Sequence, residues 1–532
     1  MATLLQSSDV IETDVCIIGA GITAAMVAER LSEQSSADIL VVEAGNEIFN
    51  LSERFERRER FIAYGENPWP DDHIRGQTAR DIQSRSMAVG GLALHWGGVT
   101  PRFTPEDFRL RSMYGVGTDW PIEYGDLEPY YQEAEERLGV AGEQGPEPYD
   151  VRSRPYPLPA MPLSYNLVQL KEWAERSGIP FWSNPVAKIT APYGDRSVCQ
   201  RCDTCNICPT GAKYTPDITF QKLIADRRIT LRSRTLVRRL ELAEGSDRIA
   251  EAVGLDRDRP DQPVRIRAGL FVLAAGYAWS PHLLLLSRSE RFPEGLANRT
   301  GNVGRWVTGH RSVSAFAEVP IRLYPGMFNG HSLLSKRFQR PGPLDRYVRH
   351  DLRVWDSSTR RGPRLLDDDS RPLLGDALLD DWRARTRTGV TRMRAYYDVI
   401  PDRESRIDLE SGLENEWGDP MPRITFVDAP ESADLRPHTE DSIRGVFDRI
   451  VAAGGGTVLT TSVDDGQDHP GGGCRMGADP ATSVVDSFGR AHDHDNLFVV
   501  GAPTMVSGGC ANGTLTFCAL SLRSAEEIAR QL

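Results

Sequence analysis

The sequence predicts an α/β fold, and three features near its N-terminus carry this prediction. The apolar run Val15 to Ile18 is typical of a buried parallel strand. It leads into the turn Gly19-Ala-Gly21-Ile-Thr-Ala24, which opens a stretch of helical periodicity to about Ser32. A second apolar run, Ile39 to Val42, ends at Glu43. This order of strand, turn, helix and strand indicates the βαβ unit of a dinucleotide-binding domain.

Each residue of this unit has a predicted role in cofactor binding. Gly19 permits the tight turn, and Gly21 lets the backbone approach a pyrophosphate. Ala24 stands in the place of a third glycine and allows the helix to pack closely on the strand. The helix N-terminus favours the pyrophosphate charge, and Glu43 can accept hydrogen bonds from a ribose diol. The unit alone does not distinguish FAD from NAD.

Composition and charge argue against several other classes of protein. The chain has 532 residues, of which 40% are hydrophobic and 26% charged, as in globular proteins, and its net charge of −12 argues against a nucleic-acid partner. No run of about 18 apolar residues is present, so we expect no membrane span. The first residues lack a basic segment followed by an apolar core, so we expect a cytoplasmic protein without a signal peptide.

Several further segments resemble the glucose–methanol–choline (GMC) family of FAD-dependent oxidoreductases. The resemblance is strongest to the branch with the catalytic subunits of gluconate, fructose and FAD-glucose dehydrogenases, glucoside 3-dehydrogenases and pyranose oxidases. The segments that carry it are "VGGLALHWGGVTPRF" (89–103), "TDWPIEYGDLEPYYQEAEERLGV" (118–140), "FVLAAGYAWSPHLLLLS" (271–287), "HPGGGCRMG" (469–477) and "NLFVVGAPTMVSGGCANGTLTFCALSLRSAEEIA" (496–529).

The resemblance implies an α/β fold in which a Rossmann-like FAD-binding domain is interleaved with an α+β substrate domain built on a mainly antiparallel sheet. The FAD-binding domain would use residues 1–110, 185–310 and 460–532, and the substrate domain residues 111–184 and 311–459. The resemblance also implies further FAD-binding residues: Gly91, His95, Ala275, Gly501, Asn512 and Thr514. His95 resembles the histidine that pyranose oxidases bond to the flavin. Such a covalent link is possible here, but non-covalent packing is favoured.

Alcohol oxidation by a flavin needs a base beside the substrate hydroxyl, and histidine suits this task near neutral pH. His469 and Asn512 are 43 residues apart, the spacing that separates two flavin-facing residues in the family. The resemblance therefore implies that His469 is the general base and that Asn512 orients the hydroxyl. Other histidines are interpreted as surface or core residues, among them His282, His310, His492 and His494.

Four cysteines, Cys199, Cys202, Cys205 and Cys208, form a C-x2-C-x2-C-x2-C pattern. This single loop favours an iron–sulfur cluster over structural zinc, which usually takes two separated CxxC pairs, and over strained disulfides. Multisubunit sugar dehydrogenases of the resembling branch carry a cluster in a cysteine-rich insert at this place, here residues 199–214. Four evenly spaced thiols favour [4Fe–4S] over [3Fe–4S].

Together these features predict an FAD-dependent dehydrogenase that oxidises a secondary or anomeric hydroxyl of a sugar or glycoside. Its electrons would leave through the cluster to an external acceptor, such as a small subunit or a cytochrome. The alternative is an oxygen-using pyranose or glycoside oxidase with structural zinc in the cysteine loop, and a non-catalytic flavoprotein subunit is a third possibility. The resemblance also leaves open a periplasmic location, reached by export together with a signal-bearing small subunit.

Overall fold

Two large β-sheets with helices packed on them make up the computed structural model, which describes residues 9–47, 51–69, 86–324, 331–340, 347–355 and 363–532. The strands are β1 (Asp9–Ile18), β2 (Ile39–Val42), β3 (Ala141–Gly142), β4 (Leu158–Pro159), β5 (Trp182–Ser183), β6 (Thr230–Arg232), β7 (Thr235–Leu242), β8 (Ile249–Asp256), β9 (Arg259–Leu273), β10 (Thr308–Val319), β11 (Ser332–Ser335), β12 (Leu352–Trp355), β13 (Gly389–Asp398), β14 (Arg406–Glu414), β15 (Pro420–Thr425), β16 (Thr457–Gly471) and β17 (Leu497–Val499).

The helices are α1 (Ile22–Gln34), α2 (Leu51–Tyr64), α3 (Leu110–Tyr114), α4 (Tyr124–Leu138), α5 (Tyr165–Arg176), α6 (Pro216–Ala225), α7 (Gly276–Leu286), α8 (Gly375–Arg385), α9 (Leu435–Ala452) and α10 (Thr514–Gln531). Short 3-10 turns lie at Gly91–Leu94, Pro105–Phe108, Pro430–Ser432 and Ala502–Thr504. Within the described ranges, no helix has the length and apolar composition needed to cross a bilayer.

The first sheet has the strand order β6-β2-β1-β9-β8-β7, and β17 also pairs with β9. The pairs among β6, β2, β1, β9 and β17 are parallel, whereas β7, β8 and β9 pair antiparallel. Both faces of β1 are buried at its C-terminal end: Val15 and Ile17 face one apolar cluster, and Cys16 and Ile18 face another. Such two-sided burial explains why residues 15–18 form a continuous apolar run.

Helix α1 covers one face of the first sheet with small side chains. Ala24, Ala25 and Ala28 are buried in the same cluster as Val15 and Ile17. Their small size lets the helix axis come close to the strands, as the predicted role of Ala24 requires. Helix α10 packs beside α1 and adds its own buried residues to this layer.

The second sheet is antiparallel, with the strand order β16-β10-β13-β12-β11-β5. Helix α9 covers one face, where Ile443 and Phe447 join the cluster that holds Val313 and Ala315 of β10. These two sheets confirm the predicted α/β fold with a mainly antiparallel second sheet. The domain boundaries given above stay a prediction.

The pairing of β10 with β16 is irregular near its end. His310 pairs with Asp468, but Thr308 pairs with Gly471, so β16 has one extra residue between these two positions. This is a β-bulge, which bends a strand and redirects its side chains. Just beyond it, the N–H of Gly472 donates to the carbonyl of Ala502, 2.9 Å away. The end of β16 is thereby fixed beside the segment that follows β17 of the first sheet.

Candidate active site

The turn after β1 is shaped by two glycines with different requirements. Gly19 has φ +102°, and a Cβ there would lie 2.7 Å from the carbonyl oxygen of Ala274, so no larger residue fits. Gly21 precedes the first residue of α1, and a Cβ there would meet no protein atom within 4 Å. The helix N-terminus, with its unpaired N–H groups, therefore faces open space. This is the geometry that a pyrophosphate requires.

Glu43 closes the same site from the end of β2. Its side chain is buried, and its two oxygens accept hydrogen bonds from the N–H groups of Ala20 (2.9 Å) and Gly45 (2.8 Å). Burial raises the pKa of its carboxyl to about 7, although these N–H groups act in the opposite direction. The structure thus places Glu43 beside the glycine turn. Its role as the ribose acceptor stays a prediction.

The other predicted cofactor residues gather around the first turn of α1. A Cβ on Gly91 would lie 3.3 Å from the Cα of Gly21, and one on Gly501 would lie 2.3 Å from Cγ2 of Thr23. Ala275 borders Gly19, because a Cβ on that glycine would come within 3.0 Å of the Cα of Ala275. Backbone from four separate segments therefore converges here. The open space, the close backbone approaches and the buried carboxyl fit a dinucleotide.

Two predicted cofactor residues lie farther along these segments. His95 follows the 3-10 turn Gly91–Leu94, is half-buried, and contacts the ring of Trp69 edge-on at 5.8 Å between centroids. Thr514 is the first residue of α10, directly after the loop that carries Asn512. A covalent bond from His95 to a flavin stays a prediction.

The predicted catalytic pair is brought together at the bulge in β16. Nε2 of His469 lies 2.8 Å from Nδ2 of Asn512. His469 has φ +50°, a left-handed conformation that is costly for a residue other than glycine and is often found at functional sites. His469 lies within the bulge, between the paired residues Asp468 and Gly471, where the chain departs from regular strand geometry. The two residues thus meet although His469 lies on β16 and Asn512 lies on the loop before α10.

His310 is a third member of this group that the sequence interpretation missed. It lies on β10 and is wholly buried, which agrees with a core residue, but its Nε2 is 3.0 Å from Nδ1 of His469. Its ring also packs against Tyr396 with 4.3 Å between centroids. No spacing motif connects His310 with His469. Only the antiparallel pairing of β10 and β16 brings them together.

Arg353, which lies on β12, and Asp351, which directly precedes this strand, complete the group. The guanidinium of Arg353 donates to Oδ1 of Asn512, and its Nε donates to Asp351 at 2.5 Å. All of Arg353 is buried, and its guanidinium lies 4.6 Å from the centre of the Tyr396 ring. These residues belong to the 311–459 segment, in which the sequence analysis predicts no site residues.

Burial keeps both histidines neutral. It lowers the pKa of His469 to about 4, and the nearby Arg353 and Arg394 act in the same direction, while Asp468 opposes them. Burial also lowers the pKa of His310 to well below its ordinary value, as does His469 beside it. Both imidazoles are therefore uncharged near neutral pH, so His469 can accept a proton.

The cysteine loop lies against the segment that carries His95. Nζ of Lys213 donates to the carbonyls of Leu94 (2.8 Å), Trp96 (2.9 Å) and Cys205 (2.7 Å), and so ties the two segments together. Trp69 strengthens this contact, since its Nε1 donates to the carbonyl of Asn206 at 2.8 Å. The predicted ligands are consequently next to the predicted flavin-facing segment.

The four thiols have different surroundings. Cys205 and Cys208 are buried, Cys199 is half-buried and Cys202 is exposed. Burial alone would raise the pKa of Cys208, but the N–H groups of Lys213 and Thr210 hold it below its ordinary value, as suits a thiolate ligand. In the part of the chain that the structure describes, no three His, Cys, Asp or Glu side chains are placed to hold one metal ion. The predicted cluster is therefore not seen as a formed ligand set.

Comparison with known proteins gives consistent matches over the chain. Residues 401–521 match the family model described as GMC oxidoreductase. The chain is 31% identical to the fructose dehydrogenase large subunit of Gluconobacter japonicus over 99% of each chain. It is 30% identical to 6'''-hydroxyparomomycin C oxidase of Streptomyces lividus, over 98% of this chain and 92% of that one.

A solved structure shows the same fold at lower identity. Pyridoxine 4-oxidase from Mesorbium loti superposes with a TM-score of 0.59, at 18% identity, over 97% of this chain and 98% of that one. The fold is therefore shared with this enzyme over the matched part of the chain.

The two glycines of the turn give a matched test of the cofactor site. We expect Gly21→Ala to fold normally but to bind FAD at least about tenfold more weakly, because the new methyl group enters the open space at the helix N-terminus. Gly19→Ala should instead lower the melting temperature sharply, because its methyl group meets the carbonyl of Ala274. Flavin titration of the apoprotein and thermal melts followed by circular dichroism measure both effects. Unchanged FAD affinity in Gly21→Ala would contradict this assignment.

Proposed function

The chain belongs to the GMC oxidoreductase family, whose members oxidise CH–OH groups with FAD, and on that premise we propose that it dehydrogenates a secondary or anomeric hydroxyl of a sugar or glycoside. The observation that carries this proposal is the contact between Nε2 of His469 and the amide of Asn512, 2.8 Å apart. His469 lies three residues before Gly472, whose N–H donates to the carbonyl of Ala502, and Ala502 adjoins Gly501, which packs on α1. This connection supports the proposal that the base and the cofactor cradle belong to one site.

Polar groups around the pair suit a substrate with several hydroxyls. Arg394 donates to Oγ of Ser312 at 2.7 Å and to Asp468, and its guanidinium lies 4.5 Å from the centre of the Tyr396 ring. Such a set of donors and acceptors can bind several hydroxyl groups at once. The names of the two relatives support this choice, since one acts on fructose and the other on a hydroxyparomomycin.

FAD, His469 and Asn512 each have a separate role in the proposed reaction. FAD, when bound, supplies a ring that accepts two electrons with a hydride from the substrate carbon. Nε2 of the neutral His469 takes the proton of the substrate hydroxyl, and the product is the corresponding carbonyl compound. Asn512 cannot take a proton, so its amide orients the hydroxyl oxygen. One hydride and one proton leave the alcohol, which balances the oxidation.

We also propose that the cysteine loop holds an iron–sulfur cluster with Cys199, Cys202, Cys205 and Cys208 as ligands, favouring [4Fe–4S]. The spacing supports this, as do the thiolate-stabilising N–H groups at Cys208 and the left-handed conformations of Arg201 and Asp203 (φ +54° and +56°), which turn the loop sharply between ligands. A cluster would supply one-electron transfer to an external acceptor. The relative named as a large subunit supports a partner subunit in that role.

An oxygen-using oxidase with structural zinc in the loop remains the second candidate. The observation that favours it is the full-length similarity to 6'''-hydroxyparomomycin C oxidase. The two candidates differ in the metal that the loop holds and in the acceptor that reoxidises the flavin.

Flavin reduction by a panel of sugars, compared between His469→Ala and the unaltered protein, tests whether His469 is the general base. In the unaltered protein, a sugar substrate should bleach the flavin absorbance under anaerobic conditions. We expect His469→Ala to slow this reduction by about a hundred- to ten-thousandfold while it retains FAD, because general base catalysis contributes about that much. Arg60→Ala, at the exposed ion pair with Glu66, is the control and should reduce normally. Unchanged flavin reduction in His469→Ala would contradict the role of this residue.

The pH dependence of kcat/KM should follow from the pKa of His469. Because burial lowers the pKa of His469 to about 4, the neutral base persists well below pH 6.5, and kcat/KM should fall only as the pH drops through about 4. Asp468→Asn should move this inflection to lower pH, since Asp468 raises the pKa. Recovery of activity on return to neutral pH separates titration from unfolding. An inflection near the ordinary imidazole pKa would argue against a buried base.

Metal analysis separates the two candidate functions. The protein purified without oxygen should contain about four iron atoms and about four acid-labile sulfide ions per chain, and Cys205→Ala should lose them. Cys518→Ala is the matched control, because this cysteine is also buried but lies in α10. Zinc without iron or sulfide, together with fast reoxidation by oxygen, would support the oxidase instead.

A further inference from the structure

Four side chains form one continuous line of hydrogen bonds through the site. Arg353 donates to Oδ1 of Asn512, Nδ2 of Asn512 lies 2.8 Å from Nε2 of His469, and Nδ1 of His469 lies 3.0 Å from Nε2 of His310. The two ends of the line, Arg353 and His310, are wholly buried. Each member comes from a different segment: β12, the loop before α10, β16 and β10.

The chemistry of the first member fixes the direction of the whole line. A guanidinium can only donate and does not lose its proton, so the atom of Asn512 that faces it must be the amide oxygen. The amide nitrogen then faces His469, and because it too only donates, Nε2 of His469 must accept. The single proton of neutral His469 is therefore on Nδ1, from which it is donated to Nε2 of His310. Only one tautomer of His469 satisfies all three contacts.

Arg353 is held firmly in the position that this direction requires. Its Nε donates to one oxygen of Asp351 at 2.5 Å, and the other oxygen of Asp351 accepts the N–H of Tyr396 at 2.6 Å. The ring of Tyr396 then packs on the guanidinium at 4.6 Å and on the His310 ring at 4.3 Å. A buried guanidinium with a carboxylate and an aromatic face has little freedom to rotate.

We propose that Arg353 is a positioning residue that orients the Asn512 amide and thereby holds His469 as the tautomer with a free Nε2, with His310 as the acceptor at the far end. This inference rests on the proposed role of His469 as base. A substrate hydroxyl that enters between Asn512 and His469 then meets a donor for its oxygen and an acceptor for its proton. When Nε2 takes that proton, Nδ1–H already points to His310, so no ring has to turn.

The decisive variant is Asn512→Asp, which keeps the shape but replaces the donor facing His469 with an acceptor. The carboxylate still accepts from Arg353, so Nε2 of His469 must become the protonated atom. In 15N-histidine-labelled protein, the NMR shift of Nε2 should change from that of an unprotonated to that of a protonated nitrogen. Flavin reduction should slow by up to about ten-thousandfold, the cost of the wrong histidine tautomer in a Ser–His–Asp triad.

Two variants of Arg353 form the matched pair. Arg353→Lys keeps a side chain that only donates and should retain the unprotonated Nε2 signal. Arg353→Met removes the donor, lets the amide adopt either orientation, and should give a mixed Nε2 signal with flavin reduction slowed by about a hundredfold. Circular dichroism and FAD content establish that each variant is folded. These two variants still test the inference if Asn512→Asp does not fold.

The outcomes separate this inference from the proposed function. An Nε2 signal that is unchanged in both Asn512→Asp and Arg353→Met would overturn the inference, whatever the rates. A changed signal with unchanged flavin reduction would support the fixed tautomer but show that His469 is not the base. A changed signal together with slow reduction would support both.

Discussion

The pairing of β10 with β16 is the constraint on which the rest of the site depends. A strand that slips by one residue turns every side chain to the opposite face, so the register of this pair determines whether His310 and His469 meet. The bulge between Asp468 and Gly471 adds one residue at the required place, and His469, which lies within it, has a left-handed conformation. The long apolar contact of β10 with α9 holds the register, because Val313 and Ala315 are buried there.

The cofactor cradle could be predicted from the sequence because its determinants are local. Gly19, Gly21 and Glu43 lie within one strand–turn–helix–strand unit, where chain connectivity alone brings them together. His469 and Asn512 were also predictable, although by resemblance of two motifs rather than by any local rule. In both cases the structure brings the residues together, while their assignment as site residues and their chemical roles stay predictions.

His310 and Arg353 could not be predicted, for a physical reason. Each reaches the site through antiparallel pairing between strands far apart in sequence, and a strand pattern does not reveal its partner strand or register. The charge-rich composition around Arg353 also resembles an exposed surface, whereas its guanidinium is buried. The cysteine loop shows the opposite limit: its spacing predicts metal ligands, but the described side chains are not placed to hold one metal ion. Lys213 instead ties Cys205 to the segment around Leu94.

The electrostatics of the site explain why a buried arginine, Arg353, and a half-buried one, Arg394, accompany a neutral imidazole. A buried guanidinium is costly unless it is paired, and here Asp351 pairs with Arg353 while Asp468 pairs with Arg394. The pairs leave the site with little net charge, so burial determines the state of His469 and keeps it neutral. In the proposed reaction, negative charge would grow on the substrate oxygen beside donors that are already oriented. Fixed donors of this kind stabilise a developing charge without reorganisation. The same arrangement that we propose to fix the tautomer of His469 would therefore also prepare the site for the charge that proton transfer creates.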